Sequence, residues 1–61
     1  MNLTKEQIRW TMMAIEERLK TINENIEWND SQGRHDLSEK YRQERKTYET
    51  ILEIMRVEEL K

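Results

Sequence analysis

The sequence contains no cysteine, proline or phenylalanine, and Gly33 is its single glycine among 61 residues. The absence of cysteine excludes disulfides and thiolate metal sites, which stabilise many domains of this size. No alternation of apolar and polar residues indicates a strand, and with no proline and one glycine there are few breaks between elements. We therefore expect one helical domain over residues 1–61, stabilised by helix packing or by oligomerisation.

The charge of the chain is nearly balanced, because eleven lysine and arginine residues stand against thirteen aspartate and glutamate residues. Domains that bind nucleic acid usually carry an excess of basic residues, so this balance argues against nucleic acid as a partner. No stretch is apolar enough for a membrane span or a signal peptide. The sequence thus predicts a cytoplasmic protein that does not bind a membrane.

A first helix is predicted over about residues 4–32. Thr4 and Gln7 have the spacing of a capping box at its start. Gly33 suits the left-handed position that ends a helix. Between them apolar residues recur in alternating steps of four and three, as in a heptad. These residues are Ile8, Met12, Ile15, Leu19, Ile22 and Ile26.

A second helix is predicted over about residues 36–59, after a turn at about 33–35. Asp36 and Glu39 have the spacing of a second capping box. Either of two faces of this helix could be buried in the core, and the sequence does not decide between them. The first face passes through Leu37, Tyr41, Glu44, Tyr48, Ile51 and Met55. The second is slightly rotated and passes through Arg45, Leu52 and Met55.

The apolar positions of the two helices match when the chain folds back at Gly33. The antiparallel pairs are Ile26 with Tyr41, Leu19 with Tyr48, Ile15 with Ile51 and Met12 with Met55. Ile22 then faces Glu44 or Arg45, which makes one polar layer, and such a layer can fix register. The predicted fold is all-α: an antiparallel two-helix hairpin that dimerises into a four-helix bundle.

Apolar residues that the paired faces leave unused are concentrated at the open end of the hairpin, where the two termini meet. A helix that is apolar on most sides is a buried helix, so we expect this end to be covered. One interpretation is a homodimer in which two hairpins bury each other's open ends. The other is a docking surface for another protein, because tryptophan and methionine are common anchors of such surfaces. The residues concerned are Trp10, Met13, Ile54, Val57 and Leu60.

Residue patterns that indicate an enzyme are not found. The sequence has no glycine-rich phosphate loop and no His-Glu-x-x-His run. His35, the single histidine, is followed by Asp36. A histidine next to a carboxylate can act as a general base that the carboxylate orients. A histidine in a turn more often caps a helix end or is solvated. We therefore predict no catalytic residue, no metal and no cofactor.

A basic group lies near the turn, opposite the acidic residues Glu24, Glu27 and Asp30 of the first helix. One interpretation is that the two groups complement each other within the hairpin. The other is that the basic group binds an acidic or phosphorylated partner. Trp28 either folds over the turn against an arginine or is an exposed anchor for a partner. The candidate partner-binding residues of this turn end are Trp28, Arg34, His35, Arg42 and Arg45.

The layout of the chain resembles that of known short helical proteins. Two segments carry the resemblance, and a charged helix and a glycine turn separate them. The segments are Leu3-Thr4-Lys5-Glu6-Gln7-Ile8 and Leu37-Ser38-Glu39-Lys40-Tyr41. This layout is similar to small accessory proteins of Bacillus-type phages, which include short dimeric inhibitors of bacterial defence such as the Hachiman inhibitor. The chain also partly resembles the Spo0E-like phosphatase regulators of sporulation. Ser38-Glu39-Lys40-Tyr41-Arg42 lacks the leucine and the aspartate of their Ser-x-Glu-Leu-Asp signature.

The phage resemblance implies a non-enzymatic protein that binds an unidentified host protein and inhibits it, acting in the host cytoplasm. Steric occlusion is the mechanism expected of a rigid helical bundle that presents side chains to a larger target. Two alternatives remain open at this point. One is a regulator of a bacterial signalling phosphoprotein, and the other is a small nucleic-acid accessory protein that uses residues 34–46.

Overall fold

A computed structural model describes residues 3–61, which form two α-helices joined by a short turn. Helix α1 spans Lys5–Ser31 and helix α2 spans His35–Glu59, and the two pack against each other along their length. The predicted all-α helical hairpin is confirmed. Met1 and Asn2 of the predicted domain lie outside the described residues. Neither α1 nor α2 has a stretch long and apolar enough to cross a bilayer.

Helix α1 begins with the capping box that the sequence predicts. The backbone N–H of Gln7 donates to Oγ1 of Thr4 over 3.1 Å, and the backbone N–H of Thr4 donates to Oε1 of Gln7 over 2.9 Å. Glu6 places a negative charge in the first turn, where the helix dipole favours it. The two reciprocal bonds satisfy donors that a helix start otherwise leaves without partners, so Thr4 fixes where α1 begins.

The turn between the helices is built around Gly33. Its φ of +72° lies in the left-handed region that L side chains rarely adopt. The N–H of Gly33 donates to the carbonyl oxygen of Asp30 over 3.1 Å, and the N–H of Arg34 donates to that of Asn29 over 2.8 Å. These two bonds form a Schellman motif, which satisfies the last carbonyl groups of α1. The prediction that Gly33 ends the first helix is confirmed.

Helix α2 begins at His35, and the predicted Asp36–Glu39 capping box is wrong. Its N-cap is Arg34, which makes no side-chain capping bond. The carbonyl oxygen of Arg34 already accepts from the N–H of Ser38 over 3.2 Å. The reason is the shortness of the turn, because Arg34 both completes the Schellman motif and starts α2. Asp36 is left inside the first turn, where the helix dipole favours its charge.

The core is one line of side chains between the helices. On α1 it follows the predicted face, and Ile22 at its middle is fully buried. On α2 the rotated face is the buried one, because Leu52 and Met55 are buried there. The buried isoleucines of α1 are Ile8, Ile15, Ile22 and Ile26.

Leu37 does not occupy the core position that the first predicted face gives it, and it is 40% exposed. Ser38 takes this place and is fully buried, with its Oγ 3.4 Å from the carbonyl oxygen of Ile26. A small serine that bonds to a backbone carbonyl fits the narrow space between the helices, where a leucine would need more room. No buried side-chain nitrogen or oxygen in the described part of the chain lacks a hydrogen-bond partner.

The register of the hairpin agrees with the predicted antiparallel pairing to within about one helical turn. Contacts at three positions along the rod, from the open end to the turn, show this register. They join Arg9 to Glu59, Arg18 to Glu44 and Ile26 to Ser38. The result is a rod of 43 × 15 × 14 Å with a single buried line along its axis.

Candidate functional site

Polar contacts between α1 and α2 run along both sides of the core, and the two sides differ. On the side that we call the Arg18 side, Nε and Nη2 of Arg18 donate to Oε1 of Glu44 over 3.0 and 2.6 Å. On the opposite side, which we call the Asp30 side, several such contacts follow one another. They are Arg9–Glu59, Asn23–Arg45, Asp30–Arg42 and Asp30–His35.

Helix geometry places these two sets of contacts on opposite flanks of Ile22. At about 100° per residue, Arg18 and Asn23 lie about 140° apart around α1, with Ile22 between them. The polar layer expected opposite Ile22 is therefore divided, since Glu44 bonds to Arg18 and Arg45 donates to Oδ1 of Asn23 over 3.0 Å. Sequence reasoning did not single out Arg18. The available signal was a long basic side chain four residues before a core isoleucine, at the edge of the core.

Asp30 joins the end of α1 to the start of α2. One of its oxygens accepts from Nη2 of Arg42, and the other lies 3.3 Å from Nδ1 of His35. Polar contacts with Ser38, His35 and Arg42, together with the charge of Arg42, outweigh partial burial and hold the pKa of Asp30 below its ordinary 3.8. The carboxylate partner of His35 is thus Asp30, not the neighbouring Asp36.

The predicted basic residues of the turn end do not form one free surface. Arg42 is bonded to Asp30, and Arg45 to Asn23, with the carboxylate of Glu49 3.9 Å from its Nε. Arg34 is the exposed N-cap of α2. Of the three acidic residues expected opposite this group, Asp30 contacts it directly.

Trp28 lies apart from these basic residues. It precedes Asp30 by two positions and is therefore about 160° away around α1. It is exposed, and the shallow depression beside it is lined by Glu24, Glu27 and Ser31. The turn-end candidates are thus split, with Trp28 on one flank of the hairpin and Arg42 and Arg45 on the other.

The five predicted open-end residues are all exposed, but they point in different directions. Trp10 and Ile54 lie on the Arg18 side, since each is about 80° around its helix from Arg18 or Glu44. Met13 and Val57 are turned toward the Asp30 side, since each is about 60–80° around its helix from Asn23 or Arg42. All four residues face outward, because each is two residues from a core position and so about 160° from it. Leu60 follows α2 and is 86% exposed.

In the described range 3–61, no three histidine, aspartate or glutamate side chains lie close enough together to hold a metal ion. Two surface depressions, one beside Trp28 and one at the turn, are shallow. Comparison of the chain with protein-family models, curated proteins and solved structures finds no match. The geometry of exposed apolar and paired polar side chains is therefore what bears on function.

Proposed function

We propose that the chain is a binding protein that acts by occupying a site on another protein. More specifically, we propose a small phage-type accessory protein that binds and inhibits a host defence protein. The observation that supports binding is the set of large apolar side chains exposed at the open end. Soluble proteins keep such groups exposed mainly where a partner covers them. The defence target is supported by the resemblance of the layout to phage accessory proteins.

The directions of the exposed side chains favour a cleft as the surface that receives them. Met13 and Val57 lie on opposite outer faces of the same end, and Leu60 lies beyond them. Side chains on opposite faces of a rod cannot all contact one flat surface. A cleft that takes in the open end can contact all three, and the filled cleft is then closed to other ligands. This arrangement supports inhibition by steric occlusion.

The turn-end basic group favours neither a phosphoprotein regulator nor a nucleic-acid accessory protein. A phosphate-binding surface needs cationic groups that are free to contact phosphate oxygens. Arg42 is instead bonded to the Asp30 carboxylate, and Arg45 has Asn23 and Glu49 as neighbours.

The test is a plaque assay in bacteria that carry the Hachiman defence. Co-expression of the unaltered chain is expected to restore plaques. A Met13→Glu/Val57→Glu variant is expected to lose this effect, because a charge in an apolar cleft is strongly unfavourable. Thr50→Glu is the matched control, since Thr50 lies seven residues before Val57 on the same outer face but away from the open end. It is expected to restore plaques like the unaltered chain.

Circular dichroism of the variants separates loss of binding from loss of folding. Failure of the unaltered chain to restore plaques would overturn the proposed defence target. Full activity of a folded Met13→Glu/Val57→Glu variant would overturn the assignment of the open end as the binding surface.

A further inference from the structure

We propose that a second copy of this chain packs on the Arg18 side, with the two open ends together, to form a four-helix bundle. The proposal does not rest on the target-binding function, which uses Met13, Val57 and Leu60, because these three side chains are turned away from the Arg18 side.

The surface area of the hairpin supports a partner of its own size. The chain exposes 4900 Å². A compact chain of the same 7.6 kDa exposes about 4,300 Å². The excess of about 600 Å² reflects the elongated shape of a rod whose core is covered by two helices alone. A second hairpin laid along the rod would give each copy a core on a second face, and a standard interface buries roughly 800 Å² on each partner.

The composition of the two sides indicates which one is covered. Among residues 3–61, four of the eight exposed large apolar side chains lie on the Arg18 side, within about 80° of Arg18 on α1 or of Glu44 on α2. The large apolar residues of this side are Trp10 and Trp28 on α1 and Leu37, Ile51 and Ile54 on α2, with Ala14, Thr21 and Thr47 between them. Lys40 and Glu58 also lie on this side, since each is about 40° from Glu44 around α2.

The Asp30 side is instead lined by charged and amide groups that have partners in the same chain. Its contacts reach from Arg9–Glu59 near the open end to Asp30–Arg42 near the turn. Covering these groups with another chain would remove them from water without offering new partners, which is unfavourable. The two sides of the core therefore differ in what a second chain would gain from packing there.

Two-fold symmetry allows two arrangements on the Arg18 side. With the axis parallel to the rod, the open ends lie together and each α1 neighbours α2 of the other copy. With the axis across the rod, the open ends lie apart and each α1 neighbours the other α1. The first arrangement keeps α1 antiparallel to its new neighbour at the same level as in the hairpin. Trp10 then meets Ile54 of the second copy, Ala14 meets Ile51, and Trp28 meets Leu37.

The charges at the middle of the rod favour the first arrangement. Arg18 and Glu44 already bond within one hairpin. With the open ends together, Arg18 also neighbours Glu44 of the second copy, so that two arginines and two glutamates alternate around the bundle. With the open ends apart, Arg18 neighbours Arg18 and Glu44 neighbours Glu44. Alternating charges attract, whereas like charges at close range repel.

Sedimentation equilibrium over a wide concentration range tests the covered side. The unaltered chain is expected to be a dimer. Ile54→Glu is expected to raise the dimer dissociation constant at least tenfold, because it places a charge against Trp10 of the second copy. Val57→Glu is the matched control, since both side chains are about half exposed, 48% and 52%, three residues apart on α2. It is expected to change the constant less than threefold.

A label on each copy tests the orientation. The chain has no cysteine, so Lys61→Cys gives one nitroxide per chain at the open end. With the open ends together, the two labels are separated by no more than the width of a bundle of helices about 10 Å apart, about 20–30 Å. With the open ends apart, the separation approaches the 43 Å length of the rod.

Three results would overturn the proposal. A monomer at every concentration would remove the dimer, and equal weakening by Ile54→Glu and Val57→Glu would remove the Arg18 side as its interface. A label separation near the length of the rod would reverse the orientation. If Ile54→Glu does not fold, Trp28→Lys takes its place, with Glu27→Lys as its control on the adjacent position of α1.

Discussion

The two sides of the hairpin differ in where their side chains find partners. On the Asp30 side, Arg9, Arg42 and Arg45 are bonded across to the facing helix of the same chain. On the Arg18 side, one ion pair at the middle is flanked by exposed apolar groups such as Trp10 and Trp28. Both sides border the same core of isoleucines. A two-helix chain can thus pair the polar groups of one flank by itself and leave apolar groups exposed on the other flank.

The core beneath both sides is where a substitution is expected to have the largest effect. Ile22→Ala removes a fully buried side chain, and it is expected to lower the free energy of unfolding by about 3 kcal/mol. Urea unfolding at one fixed protein concentration measures it. Val57→Ala, on the outer face of α2, is the control and is expected to change stability little. A loss below about 1 kcal/mol for Ile22→Ala would contradict the place of Ile22 in the core between the two sides.

Substitution of Trp28 tests whether the Arg18 side contributes to the association of two copies. Trp28→Ala is expected to raise the dimer dissociation constant about tenfold, which corresponds to about 1.4 kcal/mol. The reason is that Trp28 covers the exposed Leu37 of the second copy in the proposed bundle. Glu27→Ala, at the adjacent position, is expected to leave the constant unchanged. Equal constants for the two variants by sedimentation equilibrium would contradict the difference between the sides.

The pH dependence of stability tests the role of Asp30 on the Asp30 side, where polar groups have partners in the same chain. Its lowered pKa means that the folded state favours the carboxylate, so this stabilisation is present above the unfolded value of 3.8 and is lost as the pH falls through the folded value. Asp30→Asn is therefore expected to be less stable than the unaltered chain at neutral pH. The difference between them is expected to shrink as the pH falls below 3.8.

Urea midpoints at neutral and acidic pH measure this dependence on Asp30. Asp36→Asn, in the first turn of α2, serves as the control for removal of one negative charge near the turn. A difference between Asp30→Asn and the unaltered chain that stays constant down to the lowest pH would contradict the role of the Asp30 carboxylate.

The fold was predictable because local signals and periodicity agree. Thr4 and Gln7 specify the start of α1, Gly33 specifies its end, and the heptad from Ile8 to Ile26 specifies the core face. The details of α2 were less predictable. The burial of Ser38 depends on a bond to the carbonyl oxygen of Ile26, and apolar spacing carries no signal for such a bond. Leu37 was therefore assigned to the core in its place.

The candidate site was predictable as a set of residues but not as surfaces. Their positions off the paired apolar faces indicate that Trp10, Met13, Ile54, Val57 and Leu60 exceed what one core needs. A heptad defines which face meets the other helix, but it does not define which flank each charged residue bonds across. Only the contacts of Arg18 and Asp30 distinguish the flanks and divide the open-end residues between them.

The most direct test of the Arg18 side as an interface between copies is a charge exchange followed by sedimentation equilibrium. Arg18→Glu and Glu44→Arg each leave four like charges around the proposed bundle, so each variant alone is expected to be a monomer. An equal mixture again has two positive and two negative charges at this level, and it is expected to form a heterodimer. A mixture that stays monomeric, or single variants that dimerise like the unaltered chain, would contradict the account.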